Sequence, residues 1–108
     1  MRKQAKILSS AAQLETLKTS PDPLILYFST PNCMVCEIMK PKVLEALQDY
    51  DTDLIDIDAA EYPEIAGQHR VFAAPTVLVF YEGKEVLRES RFIDIDKITH
   101  LLDLIKAS

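Results

Sequence analysis

Apolar positions along this chain follow two periods. LILYFS, residues 24–29, is an unbroken apolar run of strand length and reads as a strand buried on both faces. PTVLVFY, 75–81, reads the same way. DLIDIDA, 53–59, instead alternates apolar with acidic, the period of a strand with two unlike faces. From Cys33 the spacing becomes helical: Val35, Ile38, Met39, Val43, Leu44 and Leu47 predict one apolar helix face to about Tyr50. Pro41 lies inside that helix and is expected to kink it, lacking an N–H and crowding the preceding turn. Ile95, Ile98, Leu101, Leu102 and Ile105 mark one face of a last amphipathic helix.

Punctuation fills in the rest. Ser10, with Gln13 three residues on, forms a capping-box pattern that opens a short helix to about Thr19. Ser20–Pro23 breaks it. Thr30–Pro31–Asn32 is a turn. Tyr62–His69 reads as a short helix with Pro63 in its first turn. Glu82–Gly83–Lys84 turns the chain into a returning strand, Glu85–Ser90, and a short strand is expected around Lys6–Leu8. Helices alternating with buried strands predict an α/β layer structure, and the final hairpin makes its sheet mixed. With 108 residues, no internal repeat and only Gly67 and Gly83 as glycines, residues 1–108 are expected to form a single domain.

Charge narrows the function classes. The net charge is -5 and the basic residues form no stripe, which argues against a nucleic-acid partner. No apolar run approaches the roughly 20 residues a membrane span needs. The apolar stretch behind the basic start is only Ile7–Leu8, too short for a secretory signal, so a cytoplasmic location is expected.

The chemistry concentrates in PNCMVCEIMKPKV, 31–43, which holds the only two cysteines, Cys33 and Cys36. In a reducing compartment a close pair is more often catalytic, redox-sensing or metal-binding than a structural bridge. Cys33 stands where a buried strand gives way to a helix, and partial positive charge there favours a thiolate. Cys36 lies one turn on, on nearly the same face, and could attack a mixed disulfide formed at Cys33. Two other readings stay open on spacing alone. His69 and His100 could complete a zinc site, although neither has finger spacing. The pair could also be two inert buried thiols.

STPNCMVCEIMKP followed by AAPTVLVFYEGKEV resembles the thioredoxin family over nearly the whole chain. Pro41 takes the place of the family's helix proline, five residues after the second cysteine, and Pro75 that of its cis-proline. The resemblance implies the thioredoxin fold: a mixed five-stranded sheet, four strands plus the short N-terminal one, flanked by helices on both faces. It implies a thiol–disulfide oxidoreductase in which Cys33 attacks a protein disulfide and Cys36 resolves it. No metal or organic cofactor is then needed. The partners are disulfide substrates and an external electron donor, and the chain acts as a monomer. It further implies a cis Ala74–Pro75 bond and a substrate-binding edge made of Asn32, Met34, Ala74, Pro75 and Arg91. A second class, a thioredoxin-fold binding module with little redox turnover, is kept open by several departures.

Those departures are specific. Asn32 replaces the tryptophan that usually precedes the first cysteine, and Met34–Val35 replaces Gly-Pro. Tyr27 stands where the family carries a buried aspartate, and no lysine lies between Lys42 and Lys84 to match that aspartate's usual partner. Both proton-handling groups are therefore expected to be missing together. Arg91–Phe92 replaces a flexible glycine after the last strand. Phe92 is expected to pack in the core, because burial of a large apolar side chain is favourable. Tyr27 is expected to be core with its hydroxyl on a backbone group. His69 and His100 are expected at the surface.

Overall fold

The computed structural model describes residues 2–108. Five strands form one sheet: β1 (Lys6–Ile7), β2 (Leu24–Ser29), β3 (Asp53–Asp58), β4 (Thr76–Tyr81) and β5 (Lys84–Ser90). Their spatial order is β1-β3-β2-β4-β5. β1 and β2 run parallel to β3, while β4 pairs antiparallel with β2 and with β5, so the sheet is mixed. The four helices are α1 (Ala11–Lys18), α2 (Met34–Ala46), α3 (Pro63–Gln68) and α4 (Ile95–Ala107).

Helices cover both faces, and this explains the continuous apolar runs. Side chains alternate across a strand, so each central strand feeds two cores. Leu24, Leu26 and Phe28 face α1 and α3, meeting Leu14, Ile65 and Ala66. Ile25 and Tyr27 face α2 and α4, meeting Cys36, Val43, Leu47, Ile98 and Leu102. β4 divides in the same way, with Leu78 and Phe80 on one side and Val77 and Val79 on the other.

Local chemistry sets the ends. The Ser10 hydroxyl accepts the Gln13 N–H at 3.1 Å, capping α1, while the Gln13 side chain reaches back to Ser9 rather than Ser10. Asp94 caps α4 through the Lys97 N–H at 3.3 Å. Glu82 and Gly83 both take positive φ, 54° and 77°, and Tyr81 pairs with Lys84. That is a two-residue hairpin whose twist matches the strands it joins. α2 continues through Pro41 to Ala46, four residues short of the expected end, and Leu47 is its C-cap.

Two side chains differ from expectation. His69 is not simply solvated: it is partly buried, its ring 5.9 Å from Phe28 and 5.7 Å from Phe80. Its Nδ1 donates to the Ile65 carbonyl at 2.8 Å, leaving Nε2 to accept from the Lys18 ammonium 2.5 Å away. Burial, foremost, holds this imidazole below its ordinary range, with the Lys18 charge adding to the effect. His100 is exposed, as expected. Phe92 is 90% exposed, not core. Arg91 before it adopts a left-handed backbone, φ 65°, and the Phe92 N–H closes a tight turn onto the Ser90 carbonyl at 2.7 Å. That turn points the ring outward.

Candidate active site

β2 delivers the chain to the sheet's carboxyl edge, where Thr30–Asn32 turns it into α2. Asn32 takes φ 60°, a left-handed conformation that asparagine tolerates better than most residues. Cys33 follows with extended dihedrals (φ -97°, ψ 99°) and acts as the N-cap of α2. Its sulfur accepts the Cys36 N–H at 3.2 Å. The sulfur therefore sits at the positive end of the helix, against an N–H that has no partner inside the helix. Negative charge on Cys33 is favoured at that place.

Cys33 and Cys36 are joined as a disulfide, with their Cα atoms 5.3 Å apart. The two sulfurs are not equivalent. Cys36 is 3% exposed and packs into the core between the sheet, α2 and α4, while Cys33 is only partly buried against that core. Among the described residues no group of three or more His, Cys, Asp and Glu side chains comes together as a metal site. His69 packs on the opposite face of the sheet from the cysteines, against Phe28 and Phe80.

Beneath the pair, Tyr27 is fully buried and donates its hydroxyl to the Cys36 carbonyl at 2.7 Å. Burial, and then the nearby Asp56 carboxylate, push this phenol well above its ordinary range, so it remains a neutral donor. Asp56 is the β3 partner of Tyr27 in the parallel register. Its carboxylate accepts from Lys40 Nζ at 2.7 Å and from the Ser29 hydroxyl at 3.1 Å. Its side chain is only 12% exposed. Tyr27 does stand at the place of the family's aspartate, and no lysine lies between Lys42 and Lys84. An acid–lysine pair nonetheless lies beside Tyr27, carried by β3 and α2. The sequence held a signal: the alternation in LIDIDA puts Asp56 on the Leu54 face, which is the Tyr27 face.

Ala74–Pro75 is a cis peptide bond at the start of β4. The Thr76 hydroxyl donates to the Ala73 carbonyl at 2.7 Å, and the Arg91 N–H to the Pro75 carbonyl at 2.7 Å. Among the described residues no hydrogen bond uses the Ala74 N–H or C=O. Val35, Phe72, Ala74, Pro75, Arg91 and Phe92 line one groove. Met34 is exposed, as expected, and Arg91 is exposed too. Val35 and Ile38 also face solvent, although the sequence pattern assigned them to the helix's core face. The stripe that is buried runs through Cys36, Val43 and Leu47.

The family model for thioredoxin matches residues 4–107. The chain belongs to the thioredoxin family. Thioredoxin-like protein YdfQ of Bacillus subtilis is 35% identical over 71% of this chain and 70% of its own length. Thioredoxin of Mycoplasmoides gallisepticum is 26% identical over 90% of this chain and 98% of its own length. A mutant thioredoxin from Halobacterium salinarum superposes with a TM-score of 0.84, covering 95% of this chain and 91% of that one at 20% identity. The observed strand order and the helices on both faces are thus those of the thioredoxin fold. A thioredoxin-family chain with its cysteine pair in disulfide contact at a strand-to-helix junction is a thiol–disulfide oxidoreductase. No helix is long and apolar enough to cross a membrane among the described residues.

Proposed function

We propose that the chain reduces disulfides in protein substrates, with Cys33 as the attacking thiol and Cys36 as the resolving one. The unequal exposure of the two sulfurs carries this reading. Only Cys33 is open to a partner, and its thiolate is supported by the α2 N-terminus. Cys33 attacks one substrate sulfur and expels the other as a thiolate. Cys36 then attacks Cys33 in the mixed disulfide, releasing the second substrate thiol and leaving the Cys33–Cys36 bond. Two protein thiols are oxidised and one substrate disulfide is reduced. An external dithiol donor restores the pair, and no cofactor takes part.

Asn32, Met34, Ala74, Pro75 and Arg91 form the substrate edge. The unpaired Ala74 N–H and C=O support an extended substrate backbone beside Cys33. The working unit is a single domain, residues 1–108, acting as a monomer. Its radius of gyration of 12.8 Å supports one compact body, for which about 13 Å is ordinary at this length. A reducing role fits the cytoplasm, where donors keep dithiols reduced.

The test uses reduced protein and insulin. Cys33→Ser should abolish disulfide reduction, and Cys36→Ser should accumulate a mixed disulfide at Cys33. The reverse pattern, trapping in Cys33→Ser, would exchange the two roles. A reduction potential near -270 mV is expected for a reductant of this kind; one near about -120 mV would reverse the direction of exchange.

A further inference from the structure

Among the described residues, eight large apolar side chains are exposed, and five of them belong to the active-site end: Met34, Val35, Ile38, Phe72 and Phe92. Ile7, Val86 and Leu104 are exposed elsewhere on the chain. Scattered exposed apolar residues are ordinary, but a concentration of them marks a contact surface. Phe72 and Phe92 are 86% and 90% exposed, and both line the groove that also contains Val35, Ala74 and Pro75. Two solvated phenyl rings across one groove are unused binding area of the kind that dominates interface energies.

Arg91 supplies the polar element. It lines the same groove and makes no ion pair among the described residues, in a chain of net charge -5. It is also held at φ 65°, which is costly for a residue with a Cβ. Strain of this kind persists where the surroundings fix it, and it gathers at functional sites. The overall negative charge would repel an acidic ligand, so any preference for one must come from Arg91 locally.

Resting on the redox reading above, we propose that this groove selects disulfide substrates whose cysteine lies in an extended segment carrying large apolar side chains two residues away and an acidic residue nearby. The unpaired Ala74 backbone groups favour an extended chain. In such a chain, side chains alternate. With the substrate cysteine turned toward Cys33, the residues two positions away turn the same way and enter between Phe72 and Phe92. The acidic residue meets Arg91 at the rim.

The experiment uses single-cysteine peptides, each capped as a mixed disulfide with mercaptoethanol. Either phenylalanine or serine stands two residues from the cysteine, and either glutamate or lysine flanks the segment. Pre-reduced protein is mixed with each peptide, quenched in acid and followed by mass, because the chain has no tryptophan to report the change. Hydroxyethyl disulfide, which has no peptide, is run beside them. The expected second-order rate constant is greatest for the phenylalanine–glutamate peptide. The apolar preference should be about tenfold. The acidic preference should be about two- to fivefold and should fade at high salt. Arg91→Glu should invert the charge preference, and Phe92→Ser should reduce the apolar one. If hydroxyethyl disulfide is reduced and all peptides react alike, the inference fails while the redox reading stands. If neither hydroxyethyl disulfide nor any peptide is reduced, the redox reading fails and takes the inference with it.

Discussion

Replacing Tyr27 with phenylalanine isolates one hydrogen bond beneath the redox pair. The ring stays, so no cavity opens. What goes is the hydroxyl that donates to the Cys36 carbonyl at 2.7 Å from a fully buried position. Losing a buried neutral hydrogen bond and leaving its acceptor short costs ~1.5 kcal/mol. Unfolding entropy of about 2.1 cal/mol/K per residue gives ~0.23 kcal/mol/K for 108 residues, so Tm should fall by ~7 °C. Tyr27→Ala adds a cavity and should cost ~3–5 kcal/mol, enough to separate ring from hydroxyl. Far-UV circular dichroism against temperature reads both. A second readout comes from pH. The folded phenol lies above the ordinary tyrosine value of about 10, so the unfolded chain loses that proton first. The contribution is complete below pH 10 and is lost as pH rises further. The wild-type chain should therefore lose more stability above pH 10 than Tyr27→Phe does. A Tyr27→Phe protein with unchanged Tm and the same alkaline slope would refute the bond and the argument built on it.

Arg91→Gly tests the strain at φ 65°. Relief of about 1–2 kcal/mol should outweigh the roughly 0.5–1 kcal/mol entropic cost of glycine, raising Tm by a few degrees; an equal or lower Tm in thermal unfolding would remove the strain from consideration. His69 gives a test at acid pH. Its folded form holds a proton less readily than the unfolded imidazole, so its contribution is complete above about pH 6.5 and is lost as pH falls through the lowered folded value. Urea unfolding between pH 8 and 5 should show a steeper loss for wild type than for His69→Gln, and parallel curves would refute the assignment.

The parts of this fold legible in the sequence are those where one physical demand acts alone. β2 and β4 must be apolar on both faces, and 24–29 and 76–81 look like nothing else. The Glu82–Gly83 turn and the Cys33 helix start carry local chemistry that a short window contains. The misses arise where two demands compete or where distant segments meet. His69 is sheltered by Phe28 and Phe80, rings from strands far apart in sequence. Asp56 and Lys40 sit on different elements, and only the Tyr27–Asp56 register brings their pair beside the site.

Val35, Ile38 and Phe92 are a different kind of miss. Periodicity and size assigned all three to the core, and all three are exposed at the active-site end. Hydrophobic pattern reports that a side chain gains by leaving water; it does not say whether the surface that covers it belongs to the same chain. Around Cys33 the described residues supply no such cover for these three side chains. Left-handed Arg91 turns Phe92 outward, and the buried stripe of α2 passes through Cys36 and leaves Val35 and Ile38 on the outer side. The disagreement therefore has a direction: apolar residues expected inside lie outside beside Cys33, where the proposed substrate would supply the missing half of their core. That converts the disagreement over Phe92 into a reason to look for an apolar side chain on the substrate.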